Sequence, residues 1–502
     1  MVTPLVTWDA LPLLVVLSSF VPGIAIMFLR EEQEALRTTL NLVGALAKLV
    51  FVSLMLQGVA AGASYEWALE VLPGLSLTLE GDALALLFVT LSAALWLVTT
   101  LYAIGYMQGH ENRTRFFSFF SLCVTATTGI AMAGDLFTFV LFYEALTWAT
   151  YPLVVHSGTP EAVRAGRSYL AYTLGAGTLL VVGAVWFQVT VGTVNFSPGG
   201  VVDAMAVDAE PLRYGILFFL LFVGMGVKSA FFPLHGWLPT AMVAPAPVSA
   251  LLHAVAVVKA GAFGIIRLVH SLFGIEVTWQ MGATTVIVAV ASFTIIYASI
   301  RALAQDDLKR ILAFSTVSQL SYIALGVALL DPMAQVGGLV HLVHQGLMKI
   351  TLFFCAGLIT ETLGVKTVSA MGGVARRMPL TMAAFTIGAL GMIGLPPVAG
   401  FISKWYLGIG SLGAGVPWVI PVLLASSLLN AAYFLPILRT AYFDDRNAEW
   451  SGEEARRGLE GDWRLVWPAV VTAALSLGVG LFAASDLSPL SWAILIVERG
   501  VL

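Results

Sequence analysis

Apolar runs of about twenty residues, the length that carries a helix through a bilayer, recur along almost the whole of this chain. With that window the sequence divides into about fourteen candidate spans, at roughly 11–29, 39–61, 83–107, 116–133, 136–156, 169–195, 213–242, 248–272, 280–303, 311–330, 333–360, 379–411, 416–443 and 464–492. Lipid offers no partner to a backbone amide or carbonyl, so such spans are helices that bond within themselves. The expected fold is an all-α polytopic membrane protein with about 14 transmembrane helices. Composition removes the soluble alternatives: 11% of the residues are charged, against roughly 25% in a soluble domain. A net charge of −4 gives no basic footprint, so nucleic acid is not an expected partner. The first Lys or Arg is Arg30, after the apolar run 11–29, which argues for a retained first span rather than a cleaved leader.

Charge placement supports the count. With the N-terminus outside, the cytoplasmic loops hold Arg30, Arg37, Arg113, Arg115, Arg164, Arg167, Arg301, Lys309, Arg310, Lys366, Arg376, Arg377, Arg439, Arg446, Arg456, Arg457 and Arg464, most of the 25 Lys and Arg in the chain. The opposite loops keep Arg213, Arg267 and Arg499 but carry Glu66, Glu70, Glu80, Asp82, Asp203, Asp208, Glu210 and Glu276. That asymmetry follows the positive-inside rule and puts both termini outside.

Five lysines remain within spans: Lys48, Lys228, Lys259, Lys349 and Lys404. An ammonium at the bilayer centre costs roughly 2.5–3.5 kcal/mol even on the lenient insertion scale, so each needs shelter or a use. Lys48 lies near enough to a span end to snorkel. Glu144, in LFTFVLFYEALTWATYPL, has no charged neighbour in its own helix. An isolated carboxylate there protonates or finds a cation on another helix, and Lys228 is the expected partner.

Two segments cannot be continuous helices. In GMGVKSAFFPLHGWLPTAMVAPAPVSALLHAVAVVKAG, Pro233, Pro239, Pro245 and Pro247 fall between Lys228 and Lys259. In GLPPVAGFISKWYLG, Pro396 and Pro397 fall just before Lys404. Broken backbone at membrane depth survives only against protein or water. Two such breaks in separate halves point to internal repeats, placed here at spans four to eight and nine to thirteen. The corresponding division is 1–112 (first three helices), 113–275 (first repeat), 276–445 (second repeat) and 446–502 (a cytoplasmic loop and the last helix).

Histidines fill the gaps between the lysines. His253 precedes Lys259, and HLVHQGLMK carries His341, His344 and Lys349. Imidazole both accepts and donates near neutral pH, which suits a relay. Structural hydrogen bonding is the competing reading, and metal binding a distant one, because no carboxylate or third ligand lies nearby. His235, at the first break, serves either access or capping. Cys123 and Cys355 stand apart in apolar runs, so neither a disulfide framework nor a metal centre is expected. No Walker loop, dinucleotide fingerprint or haem motif occurs, so no cofactor is expected and an enzyme acting alone is disfavoured.

The stretches PLHGWLPTAMVAPAPVSALLHAVAVVKAG, HLVHQGLMKITLFF, GLPPVAGFISKW and YAIGYM, with FYE in the fifth span, resemble the antiporter-like subunits shared by Mrp-type cation/proton antiporters, respiratory complex I and membrane-bound hydrogenases. The resemblance implies two inverted five-helix repeats with two broken helices, and a proton path through Glu144, Lys228, Lys259, His344 and Lys404, with His253 and His341 as additions. It also implies partner membrane subunits, protons and a monovalent cation as cargo, and a bacterial or archaeal cell membrane as the location. Two departures help to place the chain. Many members read WLPDAH where this chain has Thr240, Ala241 and Met242 after WLP, and Lys404 resembles the Mrp D-type subunit and some complex I subunits, whereas the complex I M-type subunit has glutamate there. The chain ends after its fourteenth span, without the lateral helix of the complex I L-type subunit or the extra domain of the Mrp A-type subunit. A component like the D-type subunit of the Mrp antiporter is the leading expectation. The alternatives are a proton-pumping subunit of a redox-driven complex and the membrane partner of an inorganic-carbon uptake complex.

Overall fold

A computed structural model describes residues 9–500 apart from 74, 193, 446–449 and 451–459. Arg446, Arg456 and Arg457, assigned above to a cytoplasmic loop, lie outside the described residues.

The chain is almost entirely helical, and its few acids and hydroxyls do much to set where helices begin. Asp135 accepts from Thr138 N–H, Thr159 from Ala162 N–H, Asp307 from Arg310 N–H and Asp331 from Met333 and Ala334 N–H. Each supplies an acceptor to the unpaired amides of a first turn, so an apolar run starts at a defined residue. Among the described residues nine helical stretches are long and apolar enough to cross a membrane, and four shorter apolar helices accompany them. The most apolar parts of Leu308–Ala328, Pro332–Leu363 and the stretch Ala246–Leu272 are fully buried among the other helices. The buried histidines and two of the buried lysines, Lys259 and Lys349, come from these central elements.

The connecting segments gather at two ends. At one end Gly134 donates to Thr78, Leu136 to Val194, Ser197 to Ser271 and Val201 to Leu272, all backbone to backbone. At the other, Arg113 pairs with Glu34 at 2.9 Å, Arg115 reaches the His156 carbonyl at 2.9 Å, and Lys309 reaches the Ala244 carbonyl at 3.1 Å. Each set of contacts joins loops that charge placement assigned to one side. Cysteine labels at Glu66 and Asp203 are therefore expected to react from one face of sealed vesicles and labels at Arg113 and Arg376 from the other. Labelling of Glu66 and Arg113 from the same face overturns the topology.

Three expectations are corrected. The chain is not purely helical, since Glu66–Leu72 and Leu75–Glu80 pair as an antiparallel hairpin, with Glu66 opposite Glu80. The segment 464–492 is not one span: Trp463–Leu481 ends before a turn, and Pro489–Glu498 is a separate short helix. Lys48 does not snorkel. It is fully buried, donating to Ser19 Oγ at 2.9 Å and Thr128 Oγ1 at 2.7 Å, with its ammonium 5.2 Å from the Trp96 ring centroid.

Candidate functional site

The first break follows the helix Pro211–Gly226, whose last carbonyls have no partner within the helix. Tyr143 supplies one, its hydroxyl donating to the carbonyls of Gly224 at 3.0 Å and Met225 at 3.1 Å. Lys228 sits just past this end, fully buried, donating to the Tyr143 carbonyl and lying 3.5 Å from the centroid of the same ring. The expected ion pair is not formed. The ion pairs among the described residues join Arg113 to Glu31 and Glu34, Arg213 to Glu210, Arg267 to Asp82 and Arg376 to Asp445. Glu144, half-buried beside Tyr143, leaves Oε1 without a hydrogen bond. Its carboxyl occupies space that only glycine leaves: a Cβ at Gly177 would fall 2.3 Å from Glu144 Oε1.

A further break lies between Ala246–Ala254 and Val257–Arg267, at Val255 and Ala256, where the sequence has neither proline nor glycine. His253 ends the first piece, with Nδ1 2.9 Å from Thr316 Oγ1 and Nε2 unpartnered. Lys259 begins the second and donates to the Leu342 carbonyl at 2.7 Å, between His341 and His344 in sequence. The second piece runs so close to Lys228 that a Cβ at Gly261 would meet Ser229 N at 2.3 Å. The unbonded Ser229 Oγ therefore stands between the two lysines' segments.

At the late break Pro379–Ile393 ends at Gly394 (φ +92) and Ala399–Gly413 follows. Lys404 turns back onto that end, donating to Met392 O at 3.1 Å, Ile393 O at 2.8 Å and Ser427 Oγ at 3.0 Å. A helix C-terminus carries partial negative charge, so the break itself supplies the ammonium's counter-dipole. Next to Lys404, Ser403 Oγ lies 2.8 Å from His341 Nδ1, and Tyr322 is within 5.2 Å of His341 and 5.5 Å of Lys404, ring centroids being the reference. Lys349 is bound by Leu312 O at 3.0 Å and by Ser315 Oγ. His341 is within electrostatic reach of Lys259, His344 and Lys404, and His253 of Lys349 and Lys309.

The structure thus gathers Lys228, His253, Lys259, His341, His344, Lys349 and Lys404 in one buried polar line, with Glu144 at its edge. His235 stands apart. It forms no capping hydrogen bond and packs against Phe232, Tyr297 and Phe314. Along the line the ammonium groups rest on carbonyls and hydroxyls rather than on carboxylates. Among the described residues, the side-chain amides of Gln319 and Gln345 have no hydrogen-bond partner, and His344, Tyr322 and Ser426 make at most weak ones. Buried polar groups are costly unless bonded, and a run of them suits ordered water. Sequence reasoning missed Ser315, Thr316, Gln319 and Tyr322. The readable signal was the density of hydroxyls and amides in AFSTVSQLSY, within an otherwise apolar span. At the arginine-rich end a cavity of about 1000 Å³ runs from His156 and Glu361 to the chain at Pro239–Pro245, with Lys309 in its wall.

Residues 133–441 match the family model described as NADH:quinone oxidoreductase/Mrp antiporter, TM. The chain is 36% identical to NADH-quinone oxidoreductase subunit N of Desulforudis audaxviator (strain MP104C), over 80% of each protein. It is 28% identical to the D subunit of the Na(+)/H(+) antiporter of Bacillus subtilis (strain 168), over 81% of this chain and 80% of that one. In fold it is similar to a chain of the Mrp complex from Dietzia sp. DQ12-45-1b, with a TM-score of 0.84 at 23% identity, covering 97% of both. A multi-pass membrane protein built around a buried lysine and histidine line, this chain belongs to the NADH:quinone oxidoreductase/Mrp antiporter transmembrane family.

Proposed function

We propose that this chain is the proton-translocating membrane subunit of a multisubunit cation/proton antiporter, similar to the D-type subunit of Mrp, and that protons move along Glu144, Lys228, Lys259, His344 and Lys404. The observation that carries the reading is the bonding of the lysines. Carbonyls and hydroxyls hold an ammonium, yet a hydroxyl can still bond to a neutral amine, so loss of the proton leaves no stranded carboxylate. His253, His341 and Lys349 bridge the line through Thr316, Ser403 and Ser315. The cavity at the arginine-rich end offers access toward His253, and His235 is not needed for the path. Two inverted repeats, 113–275 and 276–445, give each half its own break, with both termini outside the cell membrane. Partner subunits complete the complex, and the exchanged cargo is a monovalent cation such as Na+.

The test uses vesicles containing the whole complex, with an imposed pH gradient and no electron donor. Added Na+ or K+ is expected to collapse the gradient, and only when this chain is present. The 36% identity to an NADH-quinone oxidoreductase component favours a second reading, a redox-driven pump. That reading takes over if the gradient ignores both cations and forms on supplying a reductant.

A further inference from the structure

Lys259 shares its helix face with two residues that the path above does not use. Phe263 and Arg267 follow it at i+4 and i+8, so the three lie one above another along Val257–Arg267. Phe263 packs on Phe88 with ring centroids 5.3 Å apart, closing the line toward the hairpin end with apolar rings. Beyond that plug the polar groups resume. Arg267 is 2% exposed and pairs with Asp82 at 2.8 Å through Nη1. Its Nε and Nη2 have no partner, although both are buried. The chain then widens into a π-helical turn, Leu268–Leu272, holding the fully buried His270 with neither ring nitrogen bonded. Such turns recur at functional sites because they displace a side chain from the regular helix face.

The hairpin brings acids to this spot. Glu80 lies two residues before Asp82 and directly opposite Glu66 across the strands. Like charges placed so are destabilising. Asp135, nearby, is already taken by Thr138 N–H and Oγ1. Among the described residues, the guanidinium that reaches Asp82 and Glu80 is that of Arg267.

We propose that Glu80, backed by the Arg267–Asp82 pair, is the proton-exchange site between the lysine line and the water at the hairpin end, the outer side by charge asymmetry. The inference rests on the proton-path reading of Lys259. Arginine keeps its proton, so Arg267 is a fixed charge and not a carrier. When Glu80 carries the proton, Arg267 serves Asp82 alone. When the carboxyl O–H bond breaks and the proton passes to outer water, Nε and Nη2 are there to receive the new carboxylate. Re-protonation releases it. Burial first, and then Asp82 and Glu66, push the Glu80 carboxyl up, against the pull of Arg267, to about 7. Between outer pH 6 and 8 such a group passes from about one-tenth to about nine-tenths ionised.

The experiment measures proton movement in vesicles of the whole complex while the pH on the hairpin side is varied and the other side is held fixed. Wild type is expected to show a several-fold change in rate with a midpoint near pH 7. Glu80→Gln should flatten that profile, and Glu80→Asp, which keeps an ionisable group, should move its midpoint. Arg267→Lys, which keeps the charge with fewer donors, should shift it as well. Glu276→Gln, at an exposed acid of the same end, is the control and should retain the wild-type profile. Lys259→Ala, measured in parallel, separates the two readings. If Lys259→Ala still transports, the lysine path itself is wrong. If it is inactive while both Glu80 variants keep the wild-type profile, the path stands and the Glu80 site is overturned.

Discussion

Lys259→Arg is expected to stop proton movement almost as completely as Lys259→Ala, by on the order of 10²-fold, the low end of what a positioned proton carrier contributes. Arginine preserves the positive charge but holds its proton at any working pH, whereas alanine removes both. A carrier must fail in both variants. A scaffold must fail only in the second. The surroundings sharpen the contrast: Lys259 donates to one backbone carbonyl, Leu342 O, and among the described residues no carboxylate pairs with it. Guanidinium would satisfy that carbonyl as well as ammonium does, so electrostatics alone would tolerate the change. Gly261 leaves little slack beside it, since even a Cβ there would strike Ser229. Assembly of the complex is therefore measured separately, by co-purification of its other subunits. Normal transport by an assembled Lys259→Arg complex means that this residue never gives up its proton, and the path must then run through His253, His344 and water.

The positions of the buried lysines were legible because an ammonium in a long apolar run violates the general pattern and has to be accounted for. What holds them was not legible. Carbonyl groups freed at a helix end have no sequence letter, so the Met392 and Ile393 carbonyls under Lys404 emerge only once Gly394 has ended the helix. The proline-rich breaks were readable for the same reason in reverse, proline being a visible obstacle. The break at Val255 and Ala256 was not, because LLHAVAVVKA has no breaker and only packing against the central helices sets it. The hairpin left a usable signal: LSLTLE alternates strictly, and Pro73 and Gly74 stand between it and EWALEVL. A search for spans passes over it, since six or seven residues cannot cross a bilayer as helix. Lys48 was misplaced because depth within Glu34–Ala60 says nothing about which face turns inward, and Ser19 and Thr128 come from distant parts of the chain.

Glu144→Gln is expected to leave the complex assembled and to slow transport by about tenfold, the change produced by roughly 1.4 kcal/mol. Glutamine keeps the shape that Gly177 accommodates, so packing is preserved while the charge is lost. The effect works through Lys228. That lysine lies on the Tyr143 carbonyl, one residue from Glu144 and in its electrostatic reach, without a direct ion pair. The contact to Tyr143 anchors Lys228 beside the acid. An acid able to approach and withdraw changes how readily Lys228 gives up its proton, because a nearby carboxylate favours the ammonium form. With glutamine in place that modulation is gone, and Lys228 faces the same surroundings throughout the cycle. Glu144→Asp separates charge from reach: it keeps the carboxylate but draws it back by one methylene, so transport should fall between wild type and the glutamine variant. Wild-type rates in an assembled Glu144→Gln complex would remove the acid from the mechanism and leave Lys228 governed by Tyr143 alone.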